Sequence, residues 1–91
     1  MNYVQRLRAA LAPKLPDCDN TLIDLYVLVG LMSDTGTVYV DDVHNAWAVR
    51  CSRTNPDHPD IVLFGYLPPE VQAKDEKYVR AIEAAIREAR G

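Results

Sequence analysis

The sequence predicts a mostly α, small α+β domain of about four helices and a short two-stranded β element. Three observations carry this expectation. Apolar residues recur at helical spacing near both ends, as Val4, Leu7 and Leu11 and as Val71, Tyr78, Val79, Ile82, Ala85 and Ile86. The run from Leu22 to Met32 is almost wholly apolar. Two triplets with β preference, Thr37-Val38-Tyr39 and Ile61-Val62-Leu63, lie where they could pair. A chain of 91 residues is read as a single domain over positions 1–91. A domain of this size buries roughly 60–65% of its unfolded surface, so self-association would add useful apolar burial.

In order, the first helix runs from about Asn2 to Ala12 and ends at Pro13 and the Leu15-Pro16 pair, because proline lacks an amide donor. Asp19 or Asn20 can cap the second helix, from about Thr21 to Ser33. That helix is apolar nearly all round, so most of its faces need cover. A homodimer through its outer residues Leu25, Leu28 and Met32 would supply it. The β preference of Tyr26, Val27 and Val29 leaves open a partial strand here. Asp34-Thr35-Gly36 reads as a turn. The third helix, from about Val40 to Arg53, opens on Asp41 and Asp42, which suit the positive end of the helix dipole. Pro69 then starts a last helix to about Arg90 with a step near Asp75. Glu76–Arg80 and Glu83–Arg87 stand at i,i+4 in the favourable order.

The formal net charge is -3, and no Lys or Arg lies between Leu15 and Val49 while six aspartates do. Such a balance gives no electrostatic reason to bind nucleic acid. An acidic middle would instead attract a cationic partner. Two cysteines, no secretory pattern at Met1 and no apolar run long enough for a bilayer predict a cytoplasmic protein that engages no membrane.

Catalytic and metal chemistry find little support in the sequence. His44 and Cys51 lie two turns apart on one helix, about 10 Å along its axis, too far to share a zinc ion. The Asp34-Thr35-Gly36 tripeptide matches an aspartic protease signature, but that enzyme needs an all-β chain. No Gly-rich phosphate loop is present, and Cys51 reads as a small helix-interior residue. The expectation is a non-enzymatic protein with no cofactor. Trp47 is the exception to this plainness: an indole near His44, Arg50, Tyr39 and Tyr66 has the composition of a stacking site for a flat heterocycle, with Arg50 to hold an anionic group, while the alternative is that the lone tryptophan of a small domain is its largest core residue.

Val43-His44-Asn45-Ala46-Trp47-Ala48, His58-Pro59-Asp60-Ile61-Val62-Leu63-Phe64 and Leu67 through Asp75 form an order of motifs that resembles the RyR-domain family. The family is the small helical module repeated in ryanodine receptors and found alone in bacteria and their viruses. This resemblance implies a helical module paired about a two-fold axis, with an adenine-nucleotide-type ligand stacked on Trp47. The family's aromatic loop is replaced by Cys51 through Asp57, which leaves Arg50 or Arg53 to face a phosphate. The short loop looks more like small proteins of actinobacteria and their phages.

Two functions follow as expectations. The first is a binding module for a nucleotide-like small ligand held by Trp47, His44, Arg50 and Arg53, with Tyr39 and Tyr66 nearby. The second is a protein-interaction module, such as a phage protein that engages a host protein through the apolar second helix.

Overall fold

The computed structural model describes residues 1–33 and 35–91. Helix α1 spans Tyr3–Leu11, α2 Asn20–Leu31, α3 Val40–Thr54, α4 Pro69–Gln72 and α5 Glu76–Arg90. Short 3-10 turns occupy Ala12–Lys14, Phe64–Tyr66 and Ala73–Asp75. The last of these breaks the final helix at the expected step, leaving α4 as a single turn ahead of α5.

Local chemistry sets the helix starts. Asn2 and Gln5 form a reciprocal capping box: the Gln5 amide donates to Asn2 Oδ1 at 2.8 Å and the Asn2 amide donates to Gln5 Oε1 at 3.0 Å. Of the two candidate caps for α2, Asp19 takes the role, its Oδ1 accepting from the Leu22 amide at 2.8 Å. The partial-strand alternative for this segment falls, because α2 is helical throughout Asn20–Leu31. Tertiary burial of its inner face outweighs β preference here. The Asp34 part of the expected turn lies outside the described residues, while Gly36 takes φ +84°, in the left-handed region that favours glycine.

The core joins α1, α2, α3 and α5. Leu7, Leu11, Leu15, Ile23, Tyr26, Val27, Val43, Ile82, Ala85 and Ile86 form one buried cluster. Tyr26, not the lone tryptophan, is the largest fully buried side chain; its ring meets Tyr78 with centroids 5.6 Å apart. Gly30 explains how α2 approaches its neighbours so closely. A β-carbon there would lie 3.1 Å from Leu7 and 3.2 Å from Ile82, so the missing side chain lets both methyls press against the helix.

The expected two-stranded β element is not present, and among the described residues the fold is all-helical. Both triplets find other partners for their backbone. The Val38 amide donates to Glu83 Oε2 at 3.0 Å, and the Val62 carbonyl accepts from His44 Nε2 at 2.7 Å. These groups are satisfied by side chains and not by a strand ladder. Glu83 is thereby turned toward Val38, not toward Arg87 as helix spacing suggested. Glu76 and Arg80 do pair, at 3.3 Å.

The outer face of α2 remains open: Leu28 is 52% and Met32 72% exposed. Among the described residues no helix is long and apolar enough to cross a membrane. Ile82 is wholly enclosed by α1, α2 and α5 contacts, so Ile82→Ala should destabilise the domain by about 2–5 kcal/mol in denaturant unfolding, as for other buried aliphatic truncations.

Candidate functional site

A groove of about 220 Å³ opens between α3, the loop after it and the α4–α5 junction. Its wall on α3 is His44 and Trp47; the loop supplies His58 and Asp60; Val71, Lys74, Asp75 and Tyr78 close the far side. Three chain segments distant in sequence thus meet around one indole.

His44 is the keystone of the wall. It is 3% exposed and the only buried polar or charged side chain among the described residues. A carbonyl oxygen can only accept, so Nε2 carries the proton in the 2.7 Å bond to Val62. In the neutral ring this leaves Nδ1 as a lone pair, and it faces Asp75 Oδ2 at 3.7 Å. Phe64 meets the imidazole edge-on at 6.0 Å between centroids. The same loop is stapled from the other side, where Gln72 Nε2 donates to the carbonyls of Phe64 and Leu67.

Trp47 lies one turn further along α3 and is only half-buried. Its ring stacks on His44 with centroids 5.6 Å apart and meets His58 edge-on at 5.2 Å. It stands outside the core cluster, so its indole belongs to the groove. His58 is itself oriented, because its Nδ1 accepts the Asp60 amide at 3.0 Å and so places the proton of a neutral ring on Nε2.

The other expected site residues go elsewhere. Arg50 turns to the start of α2, where its Nε donates to Asp19 Oδ2 at 2.7 Å and its Nη1 to Thr54 Oγ1 at 3.2 Å. Arg53 and Tyr66 are exposed and line no part of the groove. Tyr39 borders a separate hollow with Val29, Met32 and Val38. No arginine therefore stands ready for a phosphate, and the groove instead holds two carboxylates and one lysine. Sequence reasoning did not name His58, Asp60, Val71, Lys74, Asp75 or Tyr78 as lining residues of this groove. The motifs that contain Asp60 and Asp75 were visible, but nothing in spacing alone says that a loop and a helix junction fold onto α3. Leu25, Leu28 and Met32 line a second, more apolar hollow with Val29, Ala46 and Val49. Among the described residues no three His, Cys, Asp or Glu side chains gather as a metal-binding group.

Two carboxylates respond oppositely to their surroundings. The hydrogen bond from Arg50 holds Asp19 below the ordinary carboxylate value, with the Leu22 amide adding to it. Burial pushes Asp75 above the ordinary value; the nearby His44 opposes this and Asp60 reinforces it. A depressed folded value gives stability that is present above the unfolded value and lost as pH falls through the folded one. A raised one does the reverse: stability is withheld at neutral pH and gained as pH falls through the folded value toward the unfolded one. In thermal melts, Asp19→Asn should therefore lower the midpoint at neutral pH, with the deficit closing in acid. Asp75→Asn should raise the midpoint at neutral pH, with the advantage shrinking as pH falls through the carboxylate range.

No curated protein and no solved structure matches the chain. The resemblance to RyR domains is overturned: the family model that matches is a different one, and the short motifs around Trp47 were too sparse to carry the assignment. With residues 2–87 matched by the model of a domain of unknown function, DUF7701, the chain belongs to that family.

Proposed function

We propose that the domain acts by binding, taking a small flat heterocycle of nucleobase size in the groove beside Trp47. The observation that carries this reading is the position of the indole. A chain with one tryptophan leaves that ring outside its core, only partly buried, against an oriented imidazole. Such a ring offers a π surface while His58 Nε2, Lys74 and the two carboxylates supply directional polar contacts. Drug-sized pockets run to roughly 300–1,000 Å³; a groove of about 220 Å³ suits one ring system and not a whole nucleotide. The engagement of Arg50 with Asp19 likewise argues for the base-like part of a ligand over its phosphates. Titrating adenine, adenosine and ATP into labelled protein should move the amide resonances of His44–Ala48, His58–Asp60 and Val71–Tyr78 saturably, with ATP the weakest of the three. Unmoved resonances at millimolar ligand would eliminate the reading, and Trp47→Ala should abolish the shifts.

A second reading, a protein-interaction module, draws on the exposed Leu28 and Met32 beside Val49. An apolar strip of this kind commonly marks a protein contact, whether with a second copy or with another protein such as a host factor. For a homodimer through this face, the solution mass should be twice the chain mass and Leu28→Asp should halve it while leaving the helical content intact. A monomeric mass at high concentration would remove self-pairing.

A further inference from the structure

We propose that the groove selects a positively charged or amino-bearing ring, such as an aryl amidine or an aminated heterocycle, through N–H groups given jointly to His44 Nδ1 and the Asp75 carboxylate. This rests on the reading of the groove as a small-ligand site and names the chemistry of its occupant.

The argument starts from His44. Its Nε2 proton is committed to the Val62 carbonyl at 2.7 Å, so its remaining nitrogen can only accept while the ring is neutral. That nitrogen faces a second acceptor, Asp75 Oδ2, at 3.7 Å. Neither can hydrogen-bond the other without a proton between them. Both side chains are largely withdrawn from water, 3% and 14% exposed, yet no buried side-chain nitrogen or oxygen among the described residues lacks a partner, so the two acceptor atoms stay open to the groove, where a donor can reach them. An amino or amidinium group that gives one N–H to each acceptor resolves the mismatch. A ligand carboxylate or phosphate would add a third acceptor to the pair.

The surroundings agree with this choice. Asp60 contributes a second carboxylate on the loop side, and Lys74 is the only cationic side chain of the lining. Trp47 borders the same space, and the face of an aromatic ring attracts a cation; the Tyr78 ring already carries Lys77 Nζ at 5.0 Å from its centroid. The neutral His58 ring directs Nε2–H as a donor, which leaves a place for a ring nitrogen of an aminated heterocycle. Burial raises the protonation tendency of Asp75, and a cation beside it would oppose that shift.

The test uses the full chain and three ligands of nearly one shape: benzamidine, benzamide and benzoate, followed by amide resonances. Benzamidine should perturb His44, His58–Asp60 and Asp75 saturably, with a dissociation constant lower than that of benzamide by about tenfold or more, the size expected of a charge-assisted hydrogen bond. Benzoate should leave them unmoved. Asp75→Asn should bring benzamidine to the level of benzamide without loss of the folded spectrum. Equal binding of all three at the groove would overturn the charge preference and leave the small-ligand reading standing. Tighter binding of benzoate, or benzamidine affinity unchanged in Asp75→Asn, would also overturn the inference. Silence from all three ligands and from adenine would overturn both.

Discussion

The hydrogen bond from His44 Nε2 to the Val62 carbonyl links the fold of this domain to its candidate site. The carbonyl of Val62, an exposed residue of an irregular loop, takes its donor from the helix that the loop packs against. The bond does three things together. It removes the need for a β partner at Ile61–Leu63, fixes the imidazole in one orientation, and turns Nδ1 toward Asp75. Trp47, one turn along α3, then stacks on a ring that cannot rotate away. Gln72, bonded to Phe64 and Leu67, ties the far end of the same loop to α4, so both walls of the groove hang on side-chain bonds to loop carbonyls.

Asp19 and Asp75 act oppositely on stability. Asp19 is fully used: one oxygen caps α2 and the other holds Arg50, so its charge is favourable where it stands. Asp75 is half-withdrawn from water beside a histidine that offers it no proton in the neutral state. Retaining an ionisable group in such a place opposes stability, and sites that bind are where proteins tolerate this. Arg50 illustrates the complementary point. Composition placed it beside Trp47 as an anion holder, but a carboxylate at the start of α2 captures it, which changes the charge the groove presents from positive to negative.

Two of the hollows on the molecule differ in chemistry. The groove beside Trp47 is polar, with oriented donors and acceptors. The hollow between α2 and α3 is lined by Leu25, Leu28, Val29, Met32, Ala46 and Val49. Leu28, Met32 and Val49 of that hollow are exposed, and α2 is apolar apart from its first turn and Asp24. Membership in DUF7701 spans residues 2–87, and both surfaces lie within that span.

Helix positions were legible in the sequence because they follow from local causes: proline stops, an Asp or Asn cap, and apolar periodicity matched to one buried face. Leu7, Leu11, Ile82 and Ile86 could be assigned to the core on that basis alone. The β element and the Glu83–Arg87 pair were misread because propensity and spacing count only local partners. Val38 and Val62 instead meet Glu83 and His44, residues 45 and 18 positions away. Trp47 and His44 were singled out by their chemistry and line the groove, whereas His58, Asp60, Val71, Lys74, Asp75 and Tyr78 meet them there only through packing. The sequence by itself determined where this chain coils and which faces it hides, since both depend on neighbours within a few residues. Only the tertiary structure decided which polar groups face one another, because a buried hydrogen bond between distant segments leaves no periodic trace in the order of the residues.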